Sequence, residues 1–220
     1  MDYDLIIIGS GPGGYVAAIR ASQLKMKVAV IEKAEIGGIC LNWGCIPTKS
    51  LLKSARVFDY LNHAADYGIT VSGEVKADFG AVIARSRSVA DGMSKGVQFL
   101  FRKNNITLIK GSGRLAGQNS VETVDADGNS KTLSAKHIIL ATGARSKELP
   151  SLKQDGKKII GYREAMTLPE HPKSMVVVGS GAIGSEFANF YQSMGTQVTL
   201  VEFLPRIVPN EDEEVSKQLE

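Results

Sequence analysis

Residues 4–14 are Asp4-Leu5-Ile6-Ile7-Ile8-Gly9-Ser10-Gly11-Pro12-Gly13-Gly14, an apolar run that leads directly into a cluster of glycines. An apolar run bounded by glycines predicts a buried β-strand that ends in a tight turn. A helix is expected next, and then a second apolar run, Val28–Ile31, which ends at Glu32. This order predicts a strand–helix–strand unit with parallel strands.

The same arrangement occurs a second time, far along the chain. An apolar run over 175–178 leads into Gly179-Ser180-Gly181-Ala182-Ile183-Gly184, and a later strand over 198–201 ends at Glu202. In both copies the first glycine and the acid are 23 positions apart, 9 to 32 and 179 to 202. Two copies in one register predict an α/β fold with two Rossmann-like dinucleotide-binding units, each with a parallel sheet.

Each glycine of a copy has a separate physical task. The first permits the tight turn, the second lets the backbone approach a pyrophosphate, and the third lets helix and strand pack closely. These positions are Gly9, Gly11 and Gly14 in the first copy and Gly179, Gly181 and Gly184 in the second. Glu32 and Glu202 stand where a carboxylate can accept hydrogen bonds from ribose hydroxyls. Because a carboxylate repels a 2′-phosphate, Glu202 favours NAD over NADP.

The stretch between the copies is predicted to begin with helices and to continue with strands. Apolar spacing indicates helices over about 48–62 and 79–104, and short strands around 106–109 and 121–124. The turn Asp127-Gly128-Asn129 indicates a hairpin before the next strand. The first unit is therefore expected to carry a β-hairpin or meander insertion.

The later part of the chain sets the predicted boundaries. Residues 138–140 indicate a buried parallel strand that enters Ala141-Thr142-Gly143. A boundary is expected near residue 150, which gives one domain over 1–149 and another over 150–220. Asn210 resembles a helix cap, and the helix it starts would run into the chain end. The second unit is therefore predicted to be incomplete, within a fragment of a longer protein.

The two cysteines, Cys40 and Cys45, are five residues apart. On a regular helix this spacing corresponds to about 7.5 Å along the axis, whereas a disulfide requires Cα atoms within roughly 7 Å. We therefore expect a break in the helix, which Gly44 permits. Pro47 is tolerated only in a first helical turn, so Cys45 is expected at a helix start, where a thiolate is stabilised. The pair is predicted to be redox-active, because a bridge over so short a loop adds little stability.

Composition excludes several classes of function. A formal charge of +3 without a basic block argues against binding to nucleic acid or a membrane surface, and no apolar run approaches the roughly 20 residues of a membrane span. No cluster of histidines and carboxylates indicates a metal site. The first strand begins almost at once, without a leader sequence, so a cytoplasmic protein is expected.

The glycine loops and the motif Cys40-Leu41-Asn42-Trp43-Gly44-Cys45-Ile46-Pro47-Thr48-Lys49 resemble the flavin-dependent pyridine nucleotide–disulfide oxidoreductases. By this resemblance, residues 1–149 bind FAD through the first glycine loop and Glu32, and 150–220 begin a domain that binds NAD. Cys40 would be the interchange thiol and Cys45 the charge-transfer thiolate beside the flavin. Lys49 would lie near flavin N5 and pair with Glu186. Residues Ala141-Thr142-Gly143 would be the return strand that passes close to FAD.

The motif looks most like that of family members that oxidise protein-bound dihydrolipoamide to lipoamide and reduce NAD. Such an enzyme would act as a homodimer on lipoyl domains of 2-oxo acid dehydrogenase complexes or of the glycine cleavage system. Glutathione reductase, which usually has lysine in place of Thr48, is an alternative. Mercuric reductase, which typically has valine in place of Trp43, is another.

A truncated flavin-binding module without turnover is a further alternative. The family's acid–base histidine, which is followed closely by a glutamate, has no counterpart among His63, His137 and His171. Each of these is expected to be a surface or internally bonded histidine. Residues 1–220 alone are therefore expected to be inactive.

Overall fold

The computed structural model describes every residue from Met1 to Glu220, and the chain forms two compact units. The first contains Met1–Ile46 and Arg87–Gln154, and the second contains Pro47–Ser86 and Asp155–Glu220. The segment 47–86 belongs to the second unit because its apolar side chains are buried in that unit's core. The assignment of 1–149 to FAD and of 150–220 to NAD remains a prediction.

The first unit contains a six-stranded sheet in the order β3-β2-β1-β6-β5-β4. The strands β3, β2, β1 and β6 are parallel, and β6, β5 and β4 form an antiparallel meander. This arrangement confirms the predicted α/β class and the meander insertion. The strand bounds are Tyr3–Ile8 (β1), Val28–Glu32 (β2), Thr107–Lys110 (β3), Ser112–Gly117 (β4), Ser120–Val124 (β5) and Ser130–Leu140 (β6).

Four helices follow along the chain up to residue 103. They are α1 (Pro12–Gln23), α2 (Gly38–Trp43), α3 (Cys45–Asn62) and α4 (Phe79–Lys103), with a 3₁₀ turn over Ala64–Tyr67. The helices expected over about 48–62 and 79–104 are confirmed as α3 and α4. The apolar side chains of β1 and β2 are buried on both faces of the sheet. On one face they pack against α1 and Phe101 of α4. At about 1.5–3 kcal/mol for each buried aliphatic side chain, this central region is the main stabilising core of the unit.

The prediction of a buried strand over 138–140 is wrong in part. The strand exists and is parallel to β1, but Ile139 is 36% exposed and Leu140 is 58% exposed. Because β5 pairs with β6 only over Ser130–Ser134, the last residues of β6 have a neighbouring strand, β1, on one side only.

The second unit contains the parallel strands β7 (Ser174–Val178) and β8 (Gln197–Val201). Its later helices are α5 (Tyr162–Ala165), α6 (Ala182–Ser193) and α7 (Glu213–Leu219). Phe190 and Tyr191 of α6 are fully buried, and the hydroxyl of Tyr191 donates to the carbonyl oxygen of Ala165 at 2.5 Å. Burial raises the pKa of Tyr191 above its ordinary value. These aromatic rings connect α6 to the core that residues 47–86 share.

The cap predicted at Asn210 is wrong. Helix α7 is capped by Asp212, whose Oδ1 accepts a hydrogen bond from the backbone N–H of Glu214 at 2.8 Å. The carboxylate two residues further along the chain reaches the free N–H groups of the first turn, so it takes the capping position. Across the molecule, no helix is both long and apolar enough to cross a membrane.

Candidate redox and nucleotide sites

The first glycine loop has the geometry that a pyrophosphate requires. Gly9 has φ +102°, and a Cβ atom there would lie 2.2 Å from the carbonyl oxygen of Ala141. A Cβ on Gly14 would lie 1.9 Å from the carbonyl oxygen of Gly9, so only glycine lets α1 approach the strand. At Gly11 the nearest atom to such a Cβ would be 4.0 Å away, which leaves the backbone surface open.

The second glycine loop repeats this geometry in the second unit. Gly179 has φ +99°, and a Cβ on Gly184 would lie 1.9 Å from the carbonyl oxygen of Gly179. No atom lies within 4 Å of the position of a Cβ on Gly181. Neither α1 nor α6 has an acidic residue in its first turn, so the positive end of each helix dipole is available to an anion.

Each strand-end glutamate is held by the serine of its glycine loop. In the first unit Oε2 of Glu32 accepts hydrogen bonds from the backbone N–H of Ser10 at 2.8 Å and from its hydroxyl at 2.7 Å. The other oxygen, Oε1, accepts from the backbone N–H of Ala34 at 2.9 Å. Ser10 is fully buried. Its hydroxyl donates to Glu32, and its hydroxyl oxygen accepts a hydrogen bond from the backbone N–H of Gly37.

The second unit forms the same serine–glutamate contact. Oε2 of Glu202 accepts from the backbone N–H of Ser180 at 2.9 Å and from its hydroxyl at 2.6 Å. Oε1 accepts from the backbone N–H groups of Phe203 and Leu204 at 2.8 and 3.0 Å. The Ser180 hydroxyl, followed by these backbone donors, lowers the pKa of Glu202 to about 2. The carboxylate is therefore ionised and oriented before any ligand binds.

Sequence reasoning missed both serines. The available signal was the repetition of Ser10 and Ser180 at the second position of each glycine loop. A buried serine whose hydroxyl donates to a carboxylate fixes the rotamer of that carboxylate, and this requirement explains the repetition.

The predicted return strand lies beside the first glycine loop. The backbone N–H of Ala141 donates to the carbonyl oxygen of Ile8 at 2.8 Å, which continues the pairing of β6 with β1. The Cα of Thr142 would lie 3.3 Å from a Cβ on Gly9, and Gly143 has φ +71°. The structure thus brings 141–143 to the end of β1, where the glycine loop begins.

The residues of both loops fit the nucleotides that the sequence implies. A dinucleotide site requires three features: open backbone at the second glycine, a helix amino terminus without an acidic residue, and an oriented carboxylate at the end of the next strand.

The two cysteines lie on either side of a helix break in the first unit. Helix α2 ends at Trp43, Gly44 has φ −144° and ψ −120°, and Cys45 is the first residue of α3. A Cβ on Gly44 would lie 3.0 Å from the carbonyl oxygen of Ile39 and 3.3 Å from the Cα of Cys40. The break at Gly44 and the position of Cys45 at a helix start are confirmed.

Both cysteines are free thiols that interact directly with each other. Burial raises the pKa of Cys40 to about 11, assisted by its hydrogen bond to Cys45 and by the negative charge that Cys45 can carry. Cys40 is half-buried and Cys45 is exposed. At neutral pH Cys40 therefore keeps its proton, and the Cys45 thiol is close enough to share a hydrogen bond with it.

The segment between the cysteines is tied to the loop before it by Asn42. Its side-chain NH₂ group donates to the carbonyl oxygens of Ile36 and Gly38, both at 2.9 Å. Asn42 is 5% exposed, so these bonds are shielded from water. The sequence motif contained this asparagine, but its spacing to Ile36 gave no sign of the contact.

The ion pair expected between Lys49 and Glu186 is present in the second unit. Lys49 lies on α3, four residues after Cys45, and Glu186 lies on α6. Their side chains are 62% and 31% exposed, so solvent screens the pair and its contribution to stability is small. The contact orients the lysine more than it stabilises the fold.

Two of the three histidines have local hydrogen-bond partners. Nε2 of His171 is 2.9 Å from the hydroxyl oxygen of Thr196, and Nδ1 of His63 is 2.9 Å from the carbonyl oxygen of Asp59. His137 lies within β6. No group of three or more histidine, cysteine, aspartate and glutamate side chains is arranged to hold a metal ion.

Comparisons with known proteins agree with this geometry. The sequence pattern of the family described as pyridine nucleotide-disulphide oxidoreductase matches residues 3–220. A dihydrolipoyl dehydrogenase of Rhizobium etli is 52% identical, over 99% of this chain and 49% of that protein. One from Zymomonas mobilis is also 52% identical, over 97% of this chain and 46% of that protein.

A solved structure shows the same fold. The crystal structure of LpdA from Mycobacterium tuberculosis superimposes with a TM-score of 0.90 at 30% identity, and the match covers 98% of this chain and 48% of that one. The chain thus spans about half the length of the curated relatives it matches. With its two glycine loops and its paired cysteines, the chain belongs to the pyridine nucleotide-disulphide oxidoreductase family.

Proposed function

We propose that the protein carrying this chain is a dihydrolipoamide dehydrogenase, which oxidises protein-bound dihydrolipoamide to lipoamide and reduces NAD. The observation that carries this proposal is the Cys40–Cys45 pair, whose thiols interact across a helix break in the unit that also contains the first glycine loop. Relatives at 52% identity are named dihydrolipoyl dehydrogenase, which supports the choice of substrate within the family.

The reaction on sulfur starts from the Cys40–Cys45 disulfide. A substrate thiolate attacks Sγ of Cys40, a mixed disulfide forms, and Cys45 leaves with the electron pair of the broken S–S bond as a thiolate. The second substrate sulfur attacks the first, which closes the lipoamide ring and releases Cys40. Because the pKa of Cys40 is about 11, it takes up a proton at neutral pH, and the enzyme then holds one thiol and one thiolate.

Cys45 is the leaving group of the first step. It is the first residue of α3, and its side chain is exposed. FAD, when bound, would accept the electron pair of the dithiol and transfer it to NAD as a hydride. The protein's contribution is to hold the sulfurs and the two nucleotides in their places.

The other predicted residues are assigned roles in binding. Residues 1–149 would bind FAD through the first glycine loop and Glu32, and 150–220 would begin the domain that binds NAD. Glu202 would accept hydrogen bonds from the NAD ribose and reject a 2′-phosphate by charge repulsion. Lys49, oriented by Glu186, would place a positive charge near the flavin.

The partners and the assembly belong to the same proposal. The substrate would be carried by lipoyl domains of 2-oxo acid dehydrogenase complexes or of the glycine cleavage system, and the active protein would be a homodimer. A cytoplasmic location remains a prediction from sequence.

The test is a direct comparison of substrates with the native protein. We expect reduction of NAD with dihydrolipoamide, and no comparable oxidation of NADPH with oxidised glutathione or mercuric ion. Preferred turnover of glutathione or mercury would assign another reaction of the family. A flavin-containing protein without turnover on any of the three would identify a non-catalytic binding module.

A further inference from the structure

The last two residues before the helix break are held by one arginine from a distant part of the chain. Arg87 of α4 donates through Nη2 to the carbonyl oxygen of Asn42 at 2.5 Å. Its guanidinium carbon lies 4.2 Å from the centre of the Trp43 ring. The Trp43 indole also donates through Nε1 to Oε1 of Glu35 at 3.0 Å. All four residues belong to the first unit.

We infer that Arg87 is a positioning residue of the redox pair, and that its hold on Asn42 and Trp43 sets the equilibrium between the dithiol and the disulfide of Cys40 and Cys45. The inference deepens the proposed function, because it adds a residue to the same site. Arg87 lies outside the motif that runs from the first cysteine to Lys49.

The physical basis is the end of a short helix. The last carbonyl groups of a helix have no intrahelical donor, and the carbonyl of Asn42 is one of them in α2. A positive charge is favourable at this end of the helix. Arg87 supplies both the missing donor and the charge, and so fixes where α2 ends and where Gly44 turns the chain towards Cys45.

The guanidinium group is required for both contacts at once. Its planar, rigid fork can donate in its plane to the Asn42 carbonyl while its face lies over the Trp43 indole. Lysine has the same charge but no plane, so it cannot hold the carbonyl and the ring in this relative orientation. Arg87→Lys therefore separates the geometry of the contact from its charge.

The expected consequence concerns the distance between the two sulfurs. A disulfide forms only when its Cα atoms lie within a narrow range of separation. Cys40 lies within α2 and Cys45 begins α3, so a looser end of α2 spreads the separations that the pair samples. The dithiol then closes less readily, and the equilibrium constant for disulfide formation falls.

The test is equilibration of the purified native protein with mixtures of reduced and oxidised glutathione. One protein dithiol and one oxidised glutathione give one protein disulfide and two reduced glutathiones. The reduced fraction is measured by alkylation and mass spectrometry. We expect Arg87→Lys to lower the equilibrium constant by about tenfold, which for this two-electron couple is about 30 mV. Arg102→Lys is the matched control, because Arg102 is an exposed residue of the same helix, and it should leave the constant unchanged.

Variants at Trp43 give a second, independent test. Trp43→Phe keeps an aromatic face for the guanidinium and should lower the equilibrium constant for disulfide formation only slightly. Trp43→Leu removes that face and should lower the constant more. If the two side chains act together, adding Arg87→Lys to Trp43→Leu should lower it little further.

An unchanged constant in Arg87→Lys, with a lowered unfolding temperature, would overturn the inference and leave Arg87 as a packing residue. The measurement needs neither lipoamide nor NAD, so it remains informative if the protein turns over another substrate. Conversely, full activity on dihydrolipoamide with an unchanged constant would overturn the role of Arg87 alone.

Discussion

The substitutions Gly14→Ala and Gly11→Ala should separate folding from nucleotide binding within one loop. A methyl group on Gly14 would lie 1.9 Å from the Gly9 carbonyl oxygen, far inside van der Waals contact. Because the clashing atom is backbone, α1 and β1 must move apart. A methyl group on Gly11 would meet nothing closer than 4.0 Å, at an ordinary φ of −64°.

The magnitudes follow from these distances. Forced overpacking of a tight core costs about 1–3 kcal/mol, which for a chain of this size lowers the unfolding temperature by roughly 2–4 °C per kcal/mol. We expect Gly14→Ala to unfold at least a few degrees below the parent. Gly11→Ala should unfold within about 2 °C of it, because surface changes without a clash usually alter the free energy of unfolding by less than about 0.5 kcal/mol.

Calorimetry of the flavin-free protein, followed by titration with FAD, measures both effects. Gly11→Ala should fold normally and lose FAD affinity, since its methyl group occupies the surface that a pyrophosphate would approach. Equal unfolding temperatures for the two variants, or parental FAD affinity in Gly11→Ala, would refute the assignment of tasks within the loop.

Three further predictions follow from the described contacts. The pKa of Glu202 is about 2 in the folded chain and 4.5 ordinarily. The ionised carboxylate therefore stabilises the folded chain above about pH 4.5, and this contribution is lost as the pH falls towards 2. Acid unfolding curves of Ser180→Ala should show a smaller fall in the free energy of unfolding over this range than those of the parent. Alkylation of Cys40 in the reduced protein should quicken about tenfold per pH unit up to about pH 11, and a plateau near neutrality would contradict its raised pKa. Phe190→Ala should cost about 3–5 kcal/mol of unfolding free energy by denaturant titration, whereas Phe203→Ala, at a side chain 99% exposed, should change little; equal losses would contradict the described core.

Much of the fold could be predicted because its strongest signals are local in sequence. The glycine loops fix two turns, and the apolar runs before and after them fix the parallel strands. Strand β4 was not predicted, because Ser112–Gly117 has three glycine or serine residues and no clear apolar alternation. The exposure of Leu140 depends on what packs over the face of the sheet at the end of β6, which no local pattern records.

For the candidate site, too, the features that sequence could predict are those with a local signal. The cysteine motif is contiguous, so its residue types and spacing predicted the helix break at Gly44. The hydroxyl of Ser180 and the guanidinium of Arg87 act on residues 22 and 45 positions away, on Glu202 and Asn42. The serine is repeated in both glycine loops, but that repetition does not name Glu202 as its partner, and a single arginine in a helix has no repeated signal at all. Only the folded chain brings such partners together.

The central claim is that Cys40 and Cys45 form a reversible disulfide that exchanges electrons with a bound flavin. Its most direct test is the visible spectrum of the native protein during anaerobic two-electron reduction, beside that of Cys45→Ser. We predict that the parent develops a long-wavelength absorbance, which reports a thiolate next to the flavin, and that Cys45→Ser does not. A variant that keeps this absorbance would contradict the assignment of Cys45 and of the pair.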